Sequence, residues 1–414
     1  MRRPATATEI VVSDTDGGGG APNGGAAVVG GDSDGKEGSA IISATYATDH
    51  TIAGVRSLPP TLLLPLSPSP RTSPSPSPDT RTSLTVYFDD RVIWERTYVQ
   101  LLLEGPSVAV TYVPISTAQM QGKLGEQPVV EQHPNGGGAT ALVLNAMLSE
   151  EWTVSEKMAF SRLVRRLSPA VSVFCSDERG HAGWVHATLV AYSKTTLRPY
   201  GVYTYPDATV PGMESDGRGG RDGHRGTSHA IPLGYMVGMF DDHYDARRRA
   251  HPYTTTLASQ RRYAWAFPAE LTGKDREPML AAFQSWAGAP YTAGPRNATA
   301  AGAAYEAAAL VLNSHGNVVL DFFRLYEASM AGAIPVIVAS AADFRANFGA
   351  LPELPPWVVA PDWAAALAAV RTLAADSDAL NARQRAVSEW WWRVNDKVHR
   401  LVEDSVVGRK PAGI

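Results

Sequence analysis

A chain of 414 residues with 37 Lys+Arg against 41 Asp+Glu has a formal charge of −4, which gives no electrostatic ground for binding nucleic acid. Apolar residues make up 44% of it, enough for one large or two medium cores, and the single cysteine, Cys175, excludes an intramolecular disulfide. The stretch "LPPTLLLPLSP" is too short and too proline-rich to span a bilayer, and the opening "MRRPATATEIVVSDTDGGGG" lacks the apolar run of a secretory signal, so no membrane segment is expected.

Residues 1–80 are rich in Gly, Ser, Thr and Pro and show no helix or strand period, which predicts a disordered tail. Residues 81–250 read as a first Rossmann-like domain. Apolar runs such as "SLTVYFDD", "VAVTYVPI" and "TALVLNAML" alternate with helical pieces. In "SEKMAFSRLVRRLSP" the residues Met158, Phe160, Leu163, Val164 and Leu167 are assigned to one helical face, and "AVSVFCSDE" follows as a buried strand ending in charge. Residues 205–229 read as a long surface loop.

A second β-α-β series begins near residue 255 and gives a domain over 251–380, and 381–414 form a C-terminal helix and tail. That last helix contains Trp390, Trp391 and Trp392. Neighbours on a helix are about 100° apart, so at least one of the three must pack outside its own domain's core.

The segment "VLNSHGNVVLDFFRLYEASMAGAIPVIV" carries the most chemistry. A strand, "AALVLN", leads into a polar loop holding Ser314, His315, Gly316 and Asn317, and a helix follows. Asp321 is expected at the N-cap, Gly332 at the stop, and "AIPVIV" as a buried strand. On the helix, Arg324 and Glu327 are i,i+3 neighbours away from the apolar stripe. Ligands of open α/β domains gather at the carboxyl ends of the strands. There, backbone N–H groups around Gly316 and Asn317 can hold phosphate oxygens, Arg324 offers a fork-shaped cation, and Glu327 can accept ribose hydroxyls. The plainer alternative is a solvated helix pair worth about 0.2–0.5 kcal/mol.

The run "FRLYEASMAGAIPVIV" resembles the donor-binding signature of GT-B glycosyltransferases of the exostosin-like group, which includes ribitol-phosphate xylosyltransferase-like enzymes. Further pieces stand in the order that group shows: "SDE", "LRPYGVY", "IPLGYMVGMF" and "RRYAWAFPAELTGKDREPML". The likeness covers roughly residues 140–345. It implies two Rossmann-like domains with parallel sheets facing a cleft, and a nucleotide-diphosphate sugar donor in the C-terminal one. Glu327 would meet the ribose, and Arg262 and Arg276 would reach the diphosphate. The acceptor would be a hydroxyl of a glycan or glycoconjugate, transfer would proceed with inversion, and the setting would be the Golgi. The chain departs from the pattern at Val319, where many such enzymes carry a second acid, and in having one cysteine and no visible anchor. Without an anchor the setting would be the cytoplasm, unless the true beginning lies upstream.

An inverting transferase needs a proton acceptor, and Asp177 and Glu178, in "CSDERGHAGW", would overhang the cleft together with His181. Their plainer role is to cap the next helix or pair with Arg198. The histidines show no metal-ligand spacing, and arginines and helix ends can neutralise a diphosphate, so neither metal nor cofactor is expected. Three functions remain: a hexosyl- or pentosyltransferase, a GT-B scaffold that binds nucleotide or glycan without turnover, and another nucleotide-dependent enzyme such as an epimerase.

Overall fold

The computed structural model describes residues 81–92, 95–123, 138–145, 152–176, 180, 182–203, 226–240, 256–268, 276–284, 286, 290–291, 298–314 and 319–409. The expected tail over 1–80 and most of the expected loop over 205–229 lie outside the described residues.

The first sheet holds β1 (Thr82–Asp89), β2 (Val108–Ile115), β3 (Ala139–Asn145), β4 (Val171–Cys175), β5 (Thr195–Arg198) and β6 (Thr227–Ala230), in the order β2-β1-β3-β4-β5-β6. All its pairings are parallel. Helices α1 (Arg96–Leu103), α2 (Thr117–Met120), α3 (Val154–Leu167) and α4 (Gly183–Tyr192) connect the strands. The second sheet is also wholly parallel and runs β11-β10-β9-β7-β8, from β7 (Tyr263–Ala266), β8 (Pro290–Tyr291), β9 (Ala308–Asn313), β10 (Ile334–Val338) and β11 (Val358–Ala360). Its helices are α5 (Arg276–Gln284), α6 (Ala298–Ala307), α7 (Phe323–Met330), α8 (Ala341–Phe348) and α9 (Trp363–Ala374), and α10 (Ser377–Val407) ends the fold. Two parallel, doubly wound sheets constitute the α/β class that the strand rhythm predicts, with the first sheet before residue 231 and the second after 262. No described helix is long and apolar enough to cross a membrane.

Local sequence explains the elements and two departures from expectation. Thr153 and Glu156 form a reciprocal capping box at the start of α3, and Ser168, in left-handed backbone, ends it. Phe160, Leu163, Val164 and Leu167 are buried as expected, but Met158 is 37% exposed. Two residues before Phe160 puts it about 200° around the helix, on the far side. The expected loop over 205–229 is too long at its end, because Thr227–Ala230 pairs with β5 as the edge strand β6.

The helix α7 stops where expected. Gly332 takes a φ of 70°, its N–H reaches Ser329, and Ala333 donates back to Ala328. Its start differs: the N-cap is Phe322, and the Asp321 carboxylate turns away to accept the backbone N–H of Tyr200 from the first sheet's side.

Helix α10 joins the two sheets. Near its start Asn381 and Gln384 accept from the backbone N–H groups of Ser259 and Ala258, just before β7. Farther along, Asn395 accepts from the Tyr98 hydroxyl of α1 at 2.9 Å, and Ser405 meets Thr195 of β5 at 2.7 Å. Between these, Trp390 stacks near Tyr326 and Trp357, while Trp391 lies between Tyr98 and Tyr326 with ring centroids 6.0 and 6.3 Å away. One tryptophan therefore does pack beyond its own sheet, and buried side chains of both sheets form one connected apolar core.

Candidate active site

In each sheet the chain order reverses beside the first strand, between β1 and β3 and between β7 and β9. Such switch points leave a crevice at the carboxyl ends of the strands, where crossovers depart to opposite faces. Both crevices carry ionisable groups: carboxylates at the first, and at the second two arginines together with two buried carboxylates.

At the second sheet's switch point, β7 is followed by Phe267, which is fully buried, and β9 ends in Asn313 and is followed by Ser314. The guanidinium of Arg276, at the start of α5, lies 5.9 Å from the Phe267 ring centroid and donates to the Ser314 hydroxyl at 3.3 Å. Arg324, in the first turn of α7, lies 5.7 Å from the same centroid and 5.1 Å from that of Phe322. Its Nη1 is buried and has no hydrogen-bond partner among the described residues. Two cations over one ring, next to a helix N-terminus, favour an anion entering from the crevice.

Glu327 faces elsewhere. It is 1% exposed, and its oxygens accept from the Met236 backbone N–H at 3.2 Å and the Tyr305 hydroxyl at 3.1 Å. Burial raises its pKa to about 7, opposed by those two bonds and by the charge of Arg324. Asp321, also fully buried, is raised to about 7 for the same first cause. Its Oδ1 lacks a partner, and the neighbouring Tyr326 hydroxyl does not close a well-formed hydrogen bond to it. Through Met236 and Tyr200, both carboxylates tie segments that follow the first sheet's strands to α7. Gly234 lets the Met236 segment lie flat on α1: at its φ of 87°, an added Cβ would fall 2.1 Å from the Tyr98 ring.

The other expected residues divide into two groups. Arg262 is exposed at the amino end of β7, against Tyr263, on the opposite edge of the sheet from the crevice. Its neighbour Arg261 caps four backbone carbonyls, of Thr256, Tyr305, Ala308 and Ala331. Gly316, Asn317, Asp177, Glu178 and His181 lie outside the described residues. Val319 is half-buried against the core. Among the described residues no group of three or more His, Cys, Asp or Glu side chains could hold a metal ion.

The first sheet's switch point was not marked by the sequence reading beyond the acidic end of "SLTVYFDD". Asp89, fully buried at the end of β1, accepts from Arg91 through Nε and Nη2, both at 2.9 Å, and from the Asn145 N–H at the end of β3. Glu95, the N-cap residue of α1 and 2% exposed, accepts from the Ser176 hydroxyl at 2.8 Å. Its Oε2 is buried with no hydrogen-bond partner among the described residues. Burial raises its pKa, and the Ser176 hydroxyl opposes the rise. Ser176 holds a left-handed backbone, φ 62°, directly after β4. The signal in the sequence was an acidic pair followed six residues later by Glu95 at a helix start.

No family model and no curated protein matches this chain. Similar solved structures include HepE of Anabaena in complex with UDP and glucose, at 9% identity and a TM-score of 0.44 over 79% of this chain and 100% of that one. Sucrose-phosphate synthase from Thermosynechococcus elongatus gives 11% and 0.41 over 79% and 100%. A Thermobaculum terrenum O-GlcNAc transferase mutant gives 14% and 0.36 over 82% and 71%.

Proposed function

We propose that this chain is a GT-B glycosyltransferase that moves a hexosyl or pentosyl group from a nucleotide-diphosphate sugar to a hydroxyl of a glycan or glycoconjugate, with inversion. The observation that carries the reading is the pair of guanidiniums, Arg276 and Arg324, on Phe267 at the switch point of the second sheet. The exostosin-like resemblance of "FRLYEASMAGAIPVIV" supplies the sugar chemistry and, with it, the Golgi as the setting.

In this mechanism the donor's diphosphate lies between Arg276, Arg324 and the opening turn of α7. As the bond to the sugar breaks, negative charge grows on the diphosphate and the two arginines stabilise it, so the reaction as drawn calls for no metal. A carboxylate beside the first sheet, Asp177 or Glu178 on the sequence reading, takes the acceptor's proton. Glu327 stands one turn below Arg324 and holds the Met236 segment against α7, which fixes the wall of the donor site. Its direct contact with a ribose would require that segment to move.

Titration calorimetry with UDP, GDP and ADP tests the donor site. One of them should bind the native chain, and Arg276→Ala with Arg324→Ala should abolish that binding. A nucleotide that binds the double variant as it binds the native chain would sink the proposal, as would no binding at all. Val319, in place of a second acid, favours one other reading, a scaffold that binds a donor without turnover. Mass spectrometry of products from a sugar-nucleotide and glycan panel separates the two: a glycoside excludes the scaffold, and a free isomerised sugar would indicate an epimerase.

A further inference from the structure

We infer that Glu95 is the group that takes the acceptor's proton, and that the crevice between β1, β3 and β4 is the acceptor's subsite. The inference rests on the transferase reading above and assigns within it a role that Asp177 and Glu178 held on sequence grounds.

Placement supports it first. Glu95 opens α1 and Phe322 opens α7, and both helix starts stand at carboxyl edges of their sheets. One turn into α1, Tyr98 packs on Trp391, and Trp391 packs in turn on Tyr326 of α7. The two helices are thus fastened to the same side chain by their opening turns, and the Tyr200 N–H bonded to Asp321 brings the two edges together beside them. Glu95 and Arg324 thus stand at the starts of two helices, one from each sheet, that pack on the same tryptophan.

Chemistry supports it second. One Glu95 oxygen is fixed by Ser176, while the other is buried without a partner among the described residues, an arrangement that costs free energy unless a donor arrives. An acceptor hydroxyl is such a donor. Asp89 cannot serve, because Arg91 and Asn145 already occupy its oxygens. The groups facing Glu95 are Ser176, Asp89 with its bound Arg91, and the buried Cys175 thiol, whose own pKa both carboxylates raise. On its own helix Arg96 is next in sequence and lies over Phe88. Burial raises the carboxyl's pKa above the ordinary value, opposed by the Ser176 hydroxyl, which makes it a better proton acceptor once ionised.

The step balances without a co-reactant. The acceptor oxygen bonds to the anomeric carbon as the bond from that carbon to the diphosphate breaks. The electron pair leaves on the diphosphate beside Arg276 and Arg324, and the hydroxyl proton passes to Oε2 of Glu95.

The test uses the full chain with UDP-glucose, UDP-galactose, UDP-xylose and GDP-mannose, with nucleotide release measured over pH in the presence of a glycan panel. Glu95→Gln should bind the matching nucleotide as the native chain does and melt within a few degrees of it, yet lose about 100-fold or more in turnover. Ser176→Gly suits the left-handed backbone and removes the hydroxyl that steadies the carboxylate, so the acid limb of the rate profile should move to higher pH. Glu95→Gln turning over like the native chain overturns the inference, as does Asp177→Asn or Glu178→Gln alone stopping turnover. Loss of nucleotide binding or folding in Glu95→Gln together with an unmoved acid limb in Ser176→Gly makes the residue structural and overturns it too. A native chain that binds no nucleotide, or that binds one and turns over no donor, removes the transferase reading itself, whereas a native chain that turns over donor while Glu95→Gln turns over equally well removes only the role of Glu95.

Discussion

The carboxyl edge of the first sheet buries two acids, Glu95 and Asp89 with its bound Arg91, whereas the same edge of the second sets two guanidiniums, Arg276 and Arg324, on Phe267 beside the buried acids Asp321 and Glu327. The two sheets share direction, order near the switch point and doubly wound connection, so topology does not produce the contrast. It comes from the residues at two helix starts. In the proposed reaction the first edge would accept a proton and the second would hold an anion, the two halves of a displacement in which a hydroxyl attacks and a diphosphate leaves. Trp391 is the side chain common to both.

Replacing that common side chain breaks the comparison most severely. Trp391→Ala removes a fully buried ring shared by Tyr98 and Tyr326, and should cost about 3–5 kcal/mol in denaturant unfolding, felt by both sheets in one transition. Two separate transitions would show that the sheets are only loosely joined. Glu327→Ala should come next, at about 2–4 kcal/mol, because it orphans the Met236 N–H and the buried Tyr305 hydroxyl. The basic edge is sharpened by single variants: Arg276→Ala and Arg324→Ala should each weaken nucleotide binding about tenfold or more by calorimetry, a loss of about 1.4 kcal/mol.

A smaller effect is expected from pH. Asp321 and Glu327 ionise more reluctantly folded, at about 7, than unfolded, at about 4. Their contribution is therefore fullest below the unfolded value and is lost as pH rises toward 7, and melting temperature should fall over that window. The double variant Asp321→Asn, Glu327→Gln should flatten the slope, and an unchanged slope would place its origin elsewhere. The smallest effect belongs to Arg262→Ala. This side chain is exposed at the amino end of β7 and should leave both nucleotide affinity and stability within about 0.5 kcal/mol.

The strands and helices of the second sheet were legible because each carries its own punctuation. "AALVLN" and "AIPVIV" are continuous apolar runs, Gly332 ends α7, and Asp362 caps α9 by accepting from Ala365. The candidate site was legible only in part. Arg324 and Arg276 can be picked out as cations near strand ends, but the i,i+3 spacing of Arg324 and Glu327 says nothing about which neighbours those faces meet. Here Arg324 meets Phe267 and Glu327 is closed off by Tyr305 and Met236, contacts that span 57, 22 and 91 positions. Arg262 was misleading for a related reason: one position before a strand reads like any basic loop residue, and only the direction of the sheet reveals which edge it occupies. Glu95 was hidden because a single acid before "RTYVQLLL" looks like an ordinary helix-start charge, and its burial depends on Ser176, 81 positions away.

Helix α10, 31 residues and about 46 Å long, has a consequence for how the molecule comes into being. During synthesis β1 and β5 leave the ribosome well before the helix that covers them, and Ser405 closes on Thr195 across 210 positions. The early strands must therefore wait, with an apolar face uncovered, until α10 has been made, a period in which a nascent chain is open to aggregation and to the attention of chaperones.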